Sequence, residues 1–138
     1  MHSFDFGTQE MRMLWASTLL GLVQLVLAVL FSVGARGMPW ALGPRDQAGA
    51  SLSMTGARAE RAWRNFMETY PLFAALVLLA TAMGKHSPAT EWGSELYFFG
   101  RVLYVPIYTS GIPVARTAAW SVAVAGIVLL LLGIWPGL

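Results

Sequence analysis

From Ala118 to Trp135 the chain carries no charged side chain. A run of that length and character is what a helix needs to cross the roughly 30 Å hydrocarbon core of a bilayer, which takes about 20 residues. Met13 to Ala35 is a second such run, and Gln24 is its only strongly polar side chain. Leu72 to Gly84 is apolar but short, and reaches spanning length only by extension back through Arg58–Tyr70. A fourth stretch near Ala89–Tyr108 is apolar apart from Glu91, Glu95 and Arg101. Composition agrees, with 57% hydrophobic and 12% charged residues, against roughly 25% charged in an average globular protein. A soluble domain of this size would lack the polar groups to cover its surface.

The expected architecture is therefore an all-α membrane protein, a four-transmembrane-helix bundle in a single transmembrane domain covering residues 1–138. The spans are expected at about 13–35, 58–84, 89–110 and 114–135. Within them Gly21 and Ala28 are small enough for close helix approach, either to a second copy or inside one chain. Arg36, Arg45 and Arg58 lie in the first loop and Arg116 at the third. The Arg/Lys bias of short loops then puts these on the cytoplasmic side and both termini outside. Trp15, Trp92 and Trp135 fall near one face and Trp40, Trp63 and Trp120 near the other, as expected of two interfacial aromatic belts.

The first loop, 36–57, contains Pro39, Gly43, Pro44, Gly49 and Gly56, which argue against regular structure and leave a lid or a disordered segment as equal readings. The basic residues form no run, so a nucleic-acid partner is not expected. With no cysteine there is no disulfide or thiolate site. Any thiol chemistry must use a small-molecule thiol. His2 and His86 are far apart in the sequence, and no metal site is expected from them.

The polar residues inside the apolar segments carry the functional signal. Arg61, Arg64, Asn65 and Glu68 fall within one arc of about 100° on a helix. Arg101, Tyr104 and Tyr108 share a face of the next one. Ionisable groups at such depth cost several kcal/mol unless paired or wetted, so Glu68 and Arg101 are expected to approach each other. An interhelical salt bridge alone would explain that pair. It does not explain the surplus, since Arg61, Arg64, Arg101 and Arg116 face one deep carboxylate, even with Glu60 available to Arg64 at i, i+4. A small anion, or a phospholipid headgroup, is the expected occupant.

The stretch Glu60-Arg61-Ala62-Trp63-Arg64-Asn65-Phe66-Met67-Glu68-Thr69-Tyr70-Pro71-Leu72-Phe73 resembles the second-helix signature of the MAPEG family. In that signature an arginine is followed four residues later by asparagine, three further on by glutamate, then by an aromatic and a proline. Arg101-Val102-Leu103-Tyr104 with Tyr108 resembles the third-helix signature, and Arg116 stands where the family has an arginine opening the fourth helix.

The resemblance covers about residues 13–135. It implies a homotrimeric bacterial inner-membrane protein that binds glutathione between subunits and acts as a transferase or peroxidase on lipophilic small-molecule electrophiles. It assigns the ligand to Arg61, Arg64, Asn65, Glu68, Arg101, Tyr104 and Tyr108, with Arg36 reaching a neighbouring subunit's ligand and Arg116 stabilising the thiolate. Trp120 departs from the pattern, standing where some branches have a tyrosine. The alternative is a non-catalytic protein of the same fold that binds lipid or a membrane partner. A proton-coupled exporter of similar size is the third reading. It fits poorly, because the first span offers Gln24 where such proteins carry a glutamate.

Overall fold

Each apolar run becomes a helix, and three of the four long ones start where a side chain caps them. In the computed structural model, which describes residues 7–135, α1 spans Gln9–Arg36, α2 Met38–Leu42, α3 Met54–Met83, α4 Pro88–Ser110 and α5 Pro113–Gly133. Thr8, Ser53 and Ser87 accept hydrogen bonds from the first-turn amides of α1, α3 and α4, satisfying donors that a helix start leaves open. Ser87 and Thr90 do so reciprocally. Gly84 and Gly111 end α3 and α4 in the left-handed conformation (φ 62° and 79°), which a side chain would disfavour.

The four long helices lie side by side with alternating direction. At one end Thr90 donates to Glu10 (2.5 Å), Gln9 to Glu95 (2.8 Å), and Lys85 to the carbonyl of Trp135 (2.9 Å). At the other end Arg58 donates to the carbonyl of Thr109 (3.1 Å). The polarity is arranged inside out relative to a soluble protein. Glu10, Ser17, Gln24 and Arg101 are buried, while Trp15, Leu19, Leu22, Val26 and Leu30 of α1 point outward. Such a surface is stable only where the solvent is itself apolar.

Among the described residues three helices, α1, α3 and α5, are long and apolar enough to cross a membrane, and the protein is an integral membrane protein. The charges on α4 keep it outside that group by composition, although its 23 residues give a length of about 35 Å.

Small residues set the helix spacing. A Cβ on Gly21 would lie 2.8 Å from the Phe66 ring, so this glycine serves packing within one chain. The α4–α5 pair is closer still. A Cβ on Gly93 would meet the Gly126 carbonyl and the Leu130 amide at 2.8 Å, and one on Gly100 would meet the Ala123 amide at 2.9 Å. These neighbours are backbone and cannot turn away. Gly126→Val should therefore force the two helices apart and cost at least the roughly 1–3 kcal/mol of ordinary overpacking. The expected result is a lower melting temperature in detergent, while Gly34→Val, which meets nothing within 4 Å, leaves it unchanged.

The first loop departs from expectation. It is not without regular structure, because it holds the short helix α2. Pro39 sits in the first turn of α2, where its missing N–H has no partner to lose. Trp40 then donates its indole N–H to the Gln47 carbonyl (3.1 Å), and Arg36 donates to the Ala50 carbonyl (3.2 Å). The proline and glycine content that argued against regular structure instead shapes one turn of helix and the return to α3.

Candidate functional site

The middle of α3 repeats a polar residue every turn on one side, and that side faces α4 and α5. Arg61, Arg64, Asn65 and Glu68 from α3 line one cavity with Tyr104 and Tyr108 from α4, and with Arg116, Thr117 and Trp120 from α5. Its volume of about 420 Å³ lies within the roughly 300–1,000 Å³ of small-molecule sites. A smaller pocket of about 150 Å³, lined in part by Arg58 and Pro113, shares Arg61, Tyr108 and Arg116 with it.

Hydrogen bonds order the wall. Arg61 Nε donates to the Tyr108 hydroxyl at 3.1 Å. The Arg116 guanidinium lies 5.2 Å from the centre of the Tyr108 ring, so that phenol is held between two cations from two helices. Tyr104 packs beside Tyr108 with ring centres 5.4 Å apart. Arg64 is drawn outward to Glu60 at 3.3 Å on the exposed side of α3.

Arg101 and Glu68 approach each other, as depth leads one to expect, but through an intermediary and not as a direct ion pair. Asn65 lies between them. Arg101 Nη1 donates to Asn65 Oδ1 at 2.9 Å, and Asn65 Nδ2 donates to Glu68 Oε2 at 3.1 Å. The amide offers both an acceptor and a donor, so it links a buried cation to an exposed carboxylate across one helical turn. Arg101 is also covered by the Tyr104 and Phe66 rings, with its guanidinium 4.7 and 5.4 Å from their centres. Cation–π attraction supplies part of what a buried counter-ion would. Arg101 is 1% exposed and stands behind the cavity wall, not in it.

The structure thus brings seven of the nine candidate residues to one cavity, namely Arg61, Arg64, Asn65, Glu68, Tyr104, Tyr108 and Arg116. It places Arg101 one layer behind. Arg36 is elsewhere in the chain, bonded to Ser32 Oγ (3.1 Å) and stacked on Trp40. Thr117 belongs to the wall without having been anticipated, because nothing in its spacing distinguishes it from any other first-turn threonine. Among the described residues no group of three His, Asp or Glu is placed to hold a metal ion. His2 lies outside the described residues, and His86 contacts Glu10 (3.2 Å) at the opposite end.

A sequence model of the MAPEG family matches residues 13–135, nearly the whole chain. The chain belongs to the MAPEG family. It is thereby placed among the membrane-associated proteins of eicosanoid and glutathione metabolism. No curated protein is significantly similar to it. Of the residues that carry the MAPEG resemblance, Arg61, Asn65, Glu68, Tyr104, Tyr108 and Arg116 line the cavity and Arg101 stands behind it.

Proposed function

We propose that this MAPEG protein binds glutathione in the cavity between α3, α4 and α5, and transfers it to, or reduces with it, lipophilic electrophiles. The observation that carries this reading is the position of Arg116. It shares one cavity with Arg61 and Tyr108, which joins an anion-binding wall to a residue able to stabilise a thiolate. A protein that kept the α3 stripe only for stability would have no need of that convergence.

The donor set fits the tripeptide. Glutathione carries two carboxylates and one ammonium. Arg61 and Arg64 supply two guanidinium forks, which bind carboxylates bidentately. Glu68 accepts one hydrogen bond from Asn65, and its other oxygen is free to take the ammonium. Arg116 beside the sulfur favours the anion over the neutral thiol, whose ordinary pKa is about 8.5. Tyr108, already oriented by Arg61, adds a hydroxyl at the same place. Proximity and charge stabilisation then supply most of the rate.

In this reading α4 is the remaining span, the cavity opens toward the cytoplasm, and three copies assemble so that Arg36 reaches the ligand of a neighbour. The free carbonyl and hydroxyl partners of Arg36 in the single chain, Ala50 and Ser32, are ones it can exchange for a carboxylate. A non-catalytic role draws support from one feature, Trp120, an indole that cannot act as an acid and lines the wall where a tyrosine would serve chemistry. Calorimetric titration of glutathione into the detergent-solubilised protein separates the two. The catalytic reading requires binding that depends on Arg61.

A further inference from the structure

Where α4 turns into α5, the smaller pocket of about 150 Å³ opens beside the large cavity. Three arginines line it, Arg58 and Arg61 from α3 and Arg116 from α5, and among the described residues no carboxylate does. We propose that this pocket binds one oxyanion of the phosphate class, at a position distinct from glutathione.

Two observations select that occupant. The first is how the arginines are held. Arg58 Nη1 donates to the Thr109 carbonyl at 3.1 Å, which draws its guanidinium onto the turn after α4. Gly111 makes room for it, since a Cβ there would lie 2.7 Å from the same nitrogen. Arg61 gives only Nε, to Tyr108, and Arg116 covers the Tyr108 ring. The remaining guanidinium N–H groups of all three make no hydrogen bond among the described residues, and none of the three has a carboxylate partner there. Arg58 and Arg61 also stand three residues apart on one helix, a spacing at which like charges repel. Guanidinium forks arriving from two helices suit a tetrahedral oxyanion, whose oxygens point in several directions, better than one planar carboxylate.

The second is the charge left over. Arg58, Arg61, Arg64, Arg101 and Arg116 line or back the two pockets, against the carboxylates of Glu60 and Glu68, and five arginines less two carboxylates leave three positive charges. Glutathione bound as the thiolate carries two carboxylates, one thiolate and one ammonium, and takes up two of them. One remains, and Arg58 is the arginine of this set that only the small pocket holds. Because Arg61 and Arg116 serve both pockets, each ligand should weaken the other, by the same factor in both directions. That coupling rests on the function proposed above, whereas oxyanion binding to the free protein does not.

The test is calorimetric titration of inorganic phosphate into the full chain in a nonionic detergent at low salt, where exposed charges are least screened. Wild type should bind phosphate saturably, and Arg58→Met should weaken binding about tenfold or more, the scale of a lost charge-assisted hydrogen bond. Arg58 also braces the α4–α5 turn, so a second variant keeps lost binding apart from lost folding. Ile112 is the N-cap of α5, extended in backbone and without a side-chain cap bond. Ile112→Asp caps the helix and puts a carboxylate into the pocket, and should abolish phosphate binding while melting no lower than wild type. Ile112→Asn caps without the charge and should bind phosphate as wild type does. Phosphate should raise the glutathione Kd severalfold and then to a plateau. Tighter binding of dihexanoyl phosphatidic acid than of inorganic phosphate, lost in Arg58→Met, makes a lipid headgroup the source, and equal binding makes it free phosphate. Phosphate binding without glutathione binding upholds the pocket and removes the function proposed above. No saturable phosphate binding by folded wild type overturns the proposal, even where glutathione binds. So does a phosphate affinity that Arg58→Met and Ile112→Asp leave unchanged, or a glutathione Kd that rises without limit, which places phosphate in the large cavity.

Discussion

Arg116→Ala should lower kcat/KM for conjugation of glutathione to a chloronitroarene by about 100- to 1,000-fold, the loss found when one preorganised charge-stabilising group is removed from an active site. Arg116 is half-buried, lies over the Tyr108 ring and makes no ion pair among the described residues. Its removal therefore disturbs no structural bridge, and glutathione affinity should change only a few-fold. The thiolate absorbance of the bound ligand at neutral pH should fall with the rate, since the thiol returns toward its ordinary pKa of about 8.5. Steady-state kinetics paired with ultraviolet difference spectra check this. Rate loss with an unchanged thiolate signal would move Arg116 from the sulfur to substrate positioning.

The second large effect is expected at Asn65. Asn65→Leu removes both halves of the link between Arg101 and Glu68. The buried guanidinium already has one nitrogen, Nη2, without a partner, and loss of the Nη1 acceptor leaves two. An unsatisfied buried group costs about 1–3 kcal/mol, and more when charged. Asn65→Leu should therefore melt well below wild type and bind glutathione at least tenfold more weakly. Arg101→Met with Asn65→Leu should recover much of the stability and none of the binding, because replacing both partners removes the unpaired charge. If the double variant melts with the single one, the hydrogen bonds contribute little and the rings of Tyr104 and Phe66 carry Arg101.

Some of this was legible before any coordinates. Helix positions follow roughly from the apolar runs, because a membrane helix must satisfy its own backbone, but the caps Thr8 and Ser53 start α1 and α3 at Gln9 and Met54, ahead of those runs. The α3 stripe followed from the 3.6-residue period alone, and it predicts which four side chains share a wall. The partner of Arg101 did not follow. Depth favoured Glu68 as the only comparably deep carboxylate from another span, but a period cannot tell a direct ion pair from one relayed by an amide a turn away.

Composition likewise misjudged the first loop, where Pro39 starts a helix instead of preventing one. The contacts of Gly93 and Gly126 lie between helices, and no local pattern in either segment reveals them. Arg36 could not be placed by sequence at the cavity of its own chain, and the structure puts it beside Trp40. Its assignment to a ligand depends on a second copy.

Calorimetric titration of glutathione into the folded protein in mild detergent tests the central claim most directly, with Arg61→Ala and Glu68→Gln measured beside wild type. Arg61 meets Tyr108 across the cavity and Glu68 carries its only carboxylate. The expected result is saturable binding by wild type, weakened at least tenfold by each substitution. A wild type that is folded and binds no glutathione would contradict the account, and would leave the α3–α4–α5 cavity as a site for some other anion.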